Sequence, residues 1–162
     1  MKTDVKKLKY ITEPIFDDIK LFEKEFRNAL RSEVRMINMM GKYILRHKGK
    51  HIRPILTILS SRLCGQPTLN SYRAAAMIEL LHVATLIHDD VVDDANQRRG
   101  FPSINRMWKN KVAVLMGDFI FSKTLINMIG LKDFSALELI ASTAEKLAAG
   151  CLLYTSPSPR DS

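Results

Sequence analysis

Apolar residues recur at three- and four-residue steps along almost the whole chain and alternate nowhere, which points to packed helices. Between residues 14 and 47 the stripe runs Ile15, Ile19, Phe22, Phe26, Leu30, Val34, Ile37 and Tyr43. It reads as an amphipathic helix pair or one long broken helix, with Gly41 a candidate interruption. A basic loop over 47–53 precedes Pro54, which suits the first turn of a helix running to Cys64, with Gly65 placed to stop it. Residues 66–68 make a connection, and Ser71 is a candidate cap for the next helix. Residues 96–103 read as a loop, and 111–130 and 136–149 as further helices. With 46% hydrophobic residues in 162, there is material for a core. The expected class is all-α, a helical bundle with its chemistry inside.

One helix carries an unusual load. The run His88-Asp89-Asp90-Val91-Val92-Asp93-Asp94 places four carboxylates among apolar residues. On a helix, Asp89 and Asp93 lie one turn apart, and Asp90 and Asp94 repeat the relation on the next stripe. Like charges so placed repel by about 0.2–0.5 kcal/mol per pair. A hard divalent cation reverses that sign, and magnesium fits because it takes one or two carboxylates and leaves other positions to water and phosphate oxygens. The alternative is a solvated acidic face, or a network paired with Arg98 and Arg99 just downstream.

Basic groups surround this run. Lys50 and Arg53 flank a helix start, where backbone N–H groups and the helix dipole favour an anion such as a diphosphate. An ordinary solvated loop has the same composition. His82 precedes Asp89 by seven residues, on the same side of the helix and about 10 Å away along it. Its plain alternative is a core histidine bonded to Glu79 or a carbonyl. Arg98 and Arg99 follow closely enough to fold back over whatever the metal holds, and arginine forks grip phosphate bidentately. The net charge of +8 suggests an anionic partner, and the carboxylates beside the basic groups favour a phosphorylated small molecule over nucleic acid. Cys64 and Cys151 form no disulfide framework, so a cytoplasmic location is expected. No apolar run is expected to be long enough to span a bilayer.

Together GKHIRP, ELLHVATLIHDDVVDD, RRG and MGDFIFSK, within about residues 20–150, strongly resemble the N-terminal half of the polyprenyl synthetase family, the trans-isoprenyl diphosphate synthases. The resemblance implies a bundle of the isoprenoid synthase type and a homodimer. It also implies an allylic diphosphate that ionises with magnesium, and isopentenyl diphosphate whose double bond attacks the carbocation. Proton loss then leaves a chain longer by one five-carbon unit. Carried over, Asp89, Asp90 and Asp93 are the metal motif, with Asp89 and Asp93 the direct ligands. Arg98 contacts the allylic diphosphate, and Lys50, Arg53, His82 and Arg99 bind isopentenyl diphosphate. Asp94 is an extra carboxylate with an outlying role. Ala84 and Thr85 take the positions where bulky aromatics stop chain growth, so a tunnel mouth left open there implies a medium- or long-chain product.

Family members have about twice this length and carry a second aspartate-rich motif that is lacking here. The chain therefore reads as truncated: 1–150 as the N-terminal part of a synthase domain, and 151–162 as a Pro/Ser-rich, non-native-looking disordered tail unable to continue the helix. As a fragment it is expected to be inactive. Alternatives are a non-catalytic partner subunit of a heteromeric synthase, which typically has degraded aspartate motifs, and a terpene cyclase-like enzyme, which needs no isopentenyl diphosphate site.

Overall fold

A computed structural model describes residues 8, 10–47 and 49–155. A 3-10 turn over Glu13–Ile15 leads into α1 (Phe16–Ala29), followed by α2 (Arg35–Arg46), α3 (Ile52–Cys64) and the long α4 (Leu69–Val92). A two-stranded hairpin, β1 (Gln97–Arg98) and β2 (Phe101–Pro102), then precedes a short α5 (Ile104–Trp108). α6 (Asn110–Leu131) and α7 (Phe134–Thr155) follow. The architecture is the all-α bundle that the periodicity predicts.

α4 is the hub. Its buried residues include Tyr72, Ala76, Met77, Leu80, Ala84 and Ile87, spread around the circumference so that α1, α3 and α6 all pack on it. Small side chains at Ala75, Ala76 and Ala84 let those neighbours approach closely. Phe22 and Phe26 of α1, Ile58 of α3 and Ile120 of α6 fill the core around it. Each such burial contributes about 1.5–3 kcal/mol relative to an exposed side chain.

One polar knot ties three helices together. Asp18 of α1, nearly inaccessible to solvent, accepts from Arg62 Nε of α3 at 2.7 Å and from the Tyr72 hydroxyl of α4 at 2.7 Å. Burial pushes the Asp18 carboxyl up, but the hydrogen bonds from Arg62 and Tyr72 outweigh it and hold the group below the usual carboxylate range.

Several local expectations are corrected. Gly41 does not interrupt its helix: it is buried inside α2, where a Cβ would meet Leu30 at 3.7 Å. The break falls instead between Leu30 and Val34, where Ser32 N–H donates to Asn38 Oδ1 at 3.1 Å and satisfies a loose backbone group. α4 starts earlier than Ser71 suggests: Thr68 is the N-cap, and its N–H donates to Ser71 Oγ at 3.1 Å. The loop over 96–103 contains a hairpin, turned by Arg99 (φ +53°) and Gly100 (φ +81°). Two successive positive φ values make the mirror-image turn that suits a twisted two-residue connection. α7 passes Gly150 and runs to Thr155, since no proline intervenes before residue 157; residues 156–162 of the expected tail lie outside the described residues. α6 is long and apolar enough to cross a membrane by length and composition, contrary to expectation. Here its inner face, including Ala113, Met116 and Ile120, packs on α4 as a core helix does.

Candidate functional site

Four of the five basic groups singled out in the sequence meet beside the middle of α4. Lys50 and Arg53 from the start of α3, His82 from α4 and Arg99 from the hairpin tip line a single cavity of about 560 Å³. Two backbone features make this possible. His51, the N-cap of α3, adopts a left-handed conformation (φ +49°) that turns the loop into the helix. Gly49 lets the Arg99 guanidinium lie against its backbone, in space a Cβ would occupy. Burial lowers the His82 imidazole below its ordinary value, and the positive charges of Arg53, Arg99 and Arg98 lower it further against an opposing pull from Glu79. The cavity is thus a cationic pocket with a neutral imidazole, suited to a polyphosphate anion.

The acid run divides into an outer edge and an inward-facing member. Asp93 N–H donates to the Asp89 carbonyl at 2.8 Å, which sets the two residues one turn apart at the end of α4. Asp89 is half-buried, while Asp93 and Asp94 are exposed. Asp90 is buried, and Arg98 Nε reaches both its oxygens at 2.9 Å while Nη2 reaches Oδ1 at 2.7 Å. Asn105 Nδ2 donates to the Asp90 carbonyl at 3.1 Å. The hydrogen bonds to Asp90 raise the Arg98 guanidinium above its ordinary range, and the nearby charges of Asp89 and Asp93 add to this against burial.

Within the expected metal set Asp90 stands apart from Asp89 and Asp93: about 100° around the helix from Asp89, it is paired with Arg98, so the pairing alternative is realised at this one residue. Among the described residues no three carboxylate, imidazole or thiol groups form a site able to hold a metal ion. Asp89 and Asp93 nonetheless fit magnesium, since that cation needs only one or two carboxylates when phosphate and water complete its shell.

Ala84 and Thr85 line none of the cavities around the site. Ala84 lies five residues before Asp89, about 140° around the helix, and is 1% exposed in the core. Thr85 is half-buried, and its hydroxyl donates to the His82 carbonyl at 2.9 Å. Within MGDFIFSK, Gly117 is the residue whose smallness the packing requires. The His88 ring lies where its side chain would be, placing Nε2 3.3 Å from Asp118 Oδ1.

His51 and Glu79 were missed as site residues. Both line the cationic cavity, with Nδ1 of His51 3.2 Å from Oε1 of Glu79. The signal was there for Glu79, which precedes His82 by three residues and so shares its helix face. For His51 it was not, because nothing in one sequence distinguishes an inward histidine from a solvated one.

With fold and site in view, comparison with known proteins defines the class. The polyprenyl synthetase family model matches residues 34–160, and the chain belongs to that family. It is 39% identical over 132 residues to an all-trans-nonaprenyl-diphosphate synthase (geranyl-diphosphate specific) of Rhodobacter capsulatus, covering 77% of this chain and 41% of that protein. It is 36% identical to heptaprenyl diphosphate synthase component 2 of Geobacillus stearothermophilus, covering 89% and 45%. Among solved structures, a polyprenyl synthase of Caulobacter crescentus CB15 complexed with calcium and isoprenyl diphosphate superposes with a TM-score of 0.85 at 29% identity, covering 90% of this chain and 44% of that one. The chain thus spans less than half the length of each of these proteins.

Proposed function

We propose that the chain is part of a magnesium-dependent trans-polyprenyl diphosphate synthase that condenses isopentenyl diphosphate with an allylic diphosphate. The observation that carries the reading is the convergence of Lys50, Arg53, His82 and Arg99 on one cavity beside the Asp89–Asp93 edge of the same helix. In this reading the four basic residues hold isopentenyl diphosphate and orient its double bond, a positioning role that lowers the entropic part of the barrier. Asp89 and Asp93 hold the metal, with Arg98 beside them. Bound magnesium supplies charge neutralisation for the departing diphosphate. Arg98 contributes a fixed positive charge at the same edge, and Asp90 keeps its guanidinium aimed. Thr85, one turn before Asp89 on nearly the same helix face, is too small to block a growing chain, which favours a medium- or long-chain product.

The test uses the chain itself. Calorimetric titration with magnesium pyrophosphate should show binding that requires Lys50 and Arg53. Incubation with labelled allylic diphosphate and isopentenyl diphosphate should give little elongation, because the second aspartate-rich motif is lacking. A folded chain that does not bind pyrophosphate would defeat the reading, and robust elongation would defeat the claim that more chain is needed.

A second reading is suggested by the relative named as component 2 of a synthase. There the chain belongs to a subunit acting with a different partner chain. A non-catalytic subunit would bind pyrophosphate equally well with and without magnesium; dependence on magnesium, Asp89 and Asp93 supports the catalytic reading.

A further inference from the structure

Among the described residues, Glu79 is the one acidic residue lining the cavity that Lys50, Arg53, His82 and Arg99 share. It is 7% exposed. A buried carboxylate at the base of an anion pocket has two ways to spoil it: its charge repels the ligand, and its oxygens compete for the guanidinium groups the ligand needs. Among the described residues its carboxylate is paired with neither arginine but approaches His51 Nδ1, with Oε1 at 3.2 Å.

His51 is held for this contact from every side. Phe22 and Phe26 meet its ring edge-on at centroid distances of 5.3 and 5.8 Å. Its backbone sits in the left-handed region, an unfavourable choice for a residue with a Cβ. Neither ring nitrogen makes a well-directed hydrogen bond to any group among the described residues, so the approach to Glu79 is the polar interaction this buried ring has.

We propose that His51 is a positioning residue that occupies Glu79 and so leaves Arg53, Arg99 and His82 free to face a diphosphate. The inference rests on the reading of this cavity as a diphosphate site. Without the imidazole, Glu79 turns to the nearest cation, as buried carboxylates must find a partner. The pocket then loses both a donor and part of its positive charge.

Calorimetric titration of the full chain with magnesium pyrophosphate tests this, with circular dichroism and thermal melts reporting the fold. His51→Phe keeps the aromatic packing but removes the ring nitrogens, and it should weaken binding by about tenfold, as Glu79 takes one donor from the anion. His51→Asn tolerates the left-handed backbone and can place an amide N–H near the position of Nδ1, so it should bind like the wild type. Adding Glu79→Gln to His51→Phe should restore affinity, and Glu79→Gln alone should bind as tightly as the wild type or more so. That single variant decides the matter if His51→Phe does not fold: weaker binding in Glu79→Gln overturns the proposal. Wild-type affinity in folded His51→Phe, or no recovery in the double variant, also overturns it. A wild-type chain that fails to bind pyrophosphate defeats the diphosphate reading itself, whereas wild-type binding with unmoved variants defeats only the role of His51.

Discussion

The four aspartates at the end of α4 are chemically identical and structurally unequal, so their substitutions should separate. Asp89→Ala and Asp93→Ala should each reduce the magnesium-dependent part of pyrophosphate binding, while Asp94→Ala leaves it nearly unchanged. Asp90→Ala should act differently, because it strips Arg98 of its bidentate partner; its loss should persist when magnesium is omitted. Titrations with and without the metal distinguish the two patterns. His82 gives a second residue-scale test. Its imidazole is depressed, so in the free protein protonation costs stability as pH falls below the ordinary histidine range. A bound anion adds the opposite charge and should raise the midpoint, with proton uptake on binding near neutral pH. The His82 ring resonance in an NMR titration, with and without magnesium pyrophosphate, reports it; a midpoint unmoved or lowered by ligand would count against His82 as a contact. Chain length also belongs at this scale. Since Ala84 is packed in the core, Ala84→Phe should destabilise the fold rather than trim the product, by about 1–3 kcal/mol. Thr85→Phe is the substitution to make in an active full-length form. It should shorten the product, and chromatography of dephosphorylated products showing an unchanged profile would reject the tunnel reading.

Between elements, the Asp18–Arg62–Tyr72 knot joins α1, α3 and α4. Asp18→Asn should cost about 1–2 kcal/mol at neutral pH, the lower end for a charged hydrogen bond because Arg62 is partly exposed. A carboxyl whose folded value is depressed contributes stability above its unfolded value near 3.8, and that contribution is lost as pH falls through the folded value. Thermal melts of wild type and Asp18→Asn should therefore converge as pH falls below 3.8 and through the lower folded value. The helices were legible because each buries a stripe at regular steps, as with Ile15, Phe22 and Phe26. What escaped was set by partners distant in sequence. The break after Leu30 depends on Asn38 reaching back to Ser32, and the hairpin depends on a non-glycine, Arg99, taking a positive φ. The cationic cavity was legible residue by residue, since Lys50, Arg53, His82 and Arg99 each stood in a marked motif. The inward turn of Asp90 was legible only as an alternative, because helix phase alone does not say which stripe meets Arg98.

As a whole, the molecule is well packed around α4 and bare elsewhere. The outer faces of α6 and α7 expose Leu115, Ile126, Ile129, Phe134 and Leu139, each more than half accessible. So many exposed large apolar side chains favour association. The purified chain should bind a hydrophobic dye strongly and sediment as more than a monomer, and a dye-silent monomer would contradict this. The hairpin carries a subtler consequence. It is two residues deep on each side and is pinned from outside its own ladder, by Tyr43 Oη to the Pro102 carbonyl, Ser103 Oγ to the Ala95 carbonyl and Arg98 to Asp90. Detaching it costs those few contacts and the packing of Phe101 on the His47 ring, but none of the core, so it belongs to the low-energy end of the opening spectrum that hydrogen exchange resolves. Both arginines of the site leave with it. Apparent affinity for the anion is then the intrinsic affinity scaled by the fraction of time the hairpin is docked, and a substitution at Tyr43, which does not line the cavity of Lys50 and Arg53, weakens binding by changing a population rather than a contact.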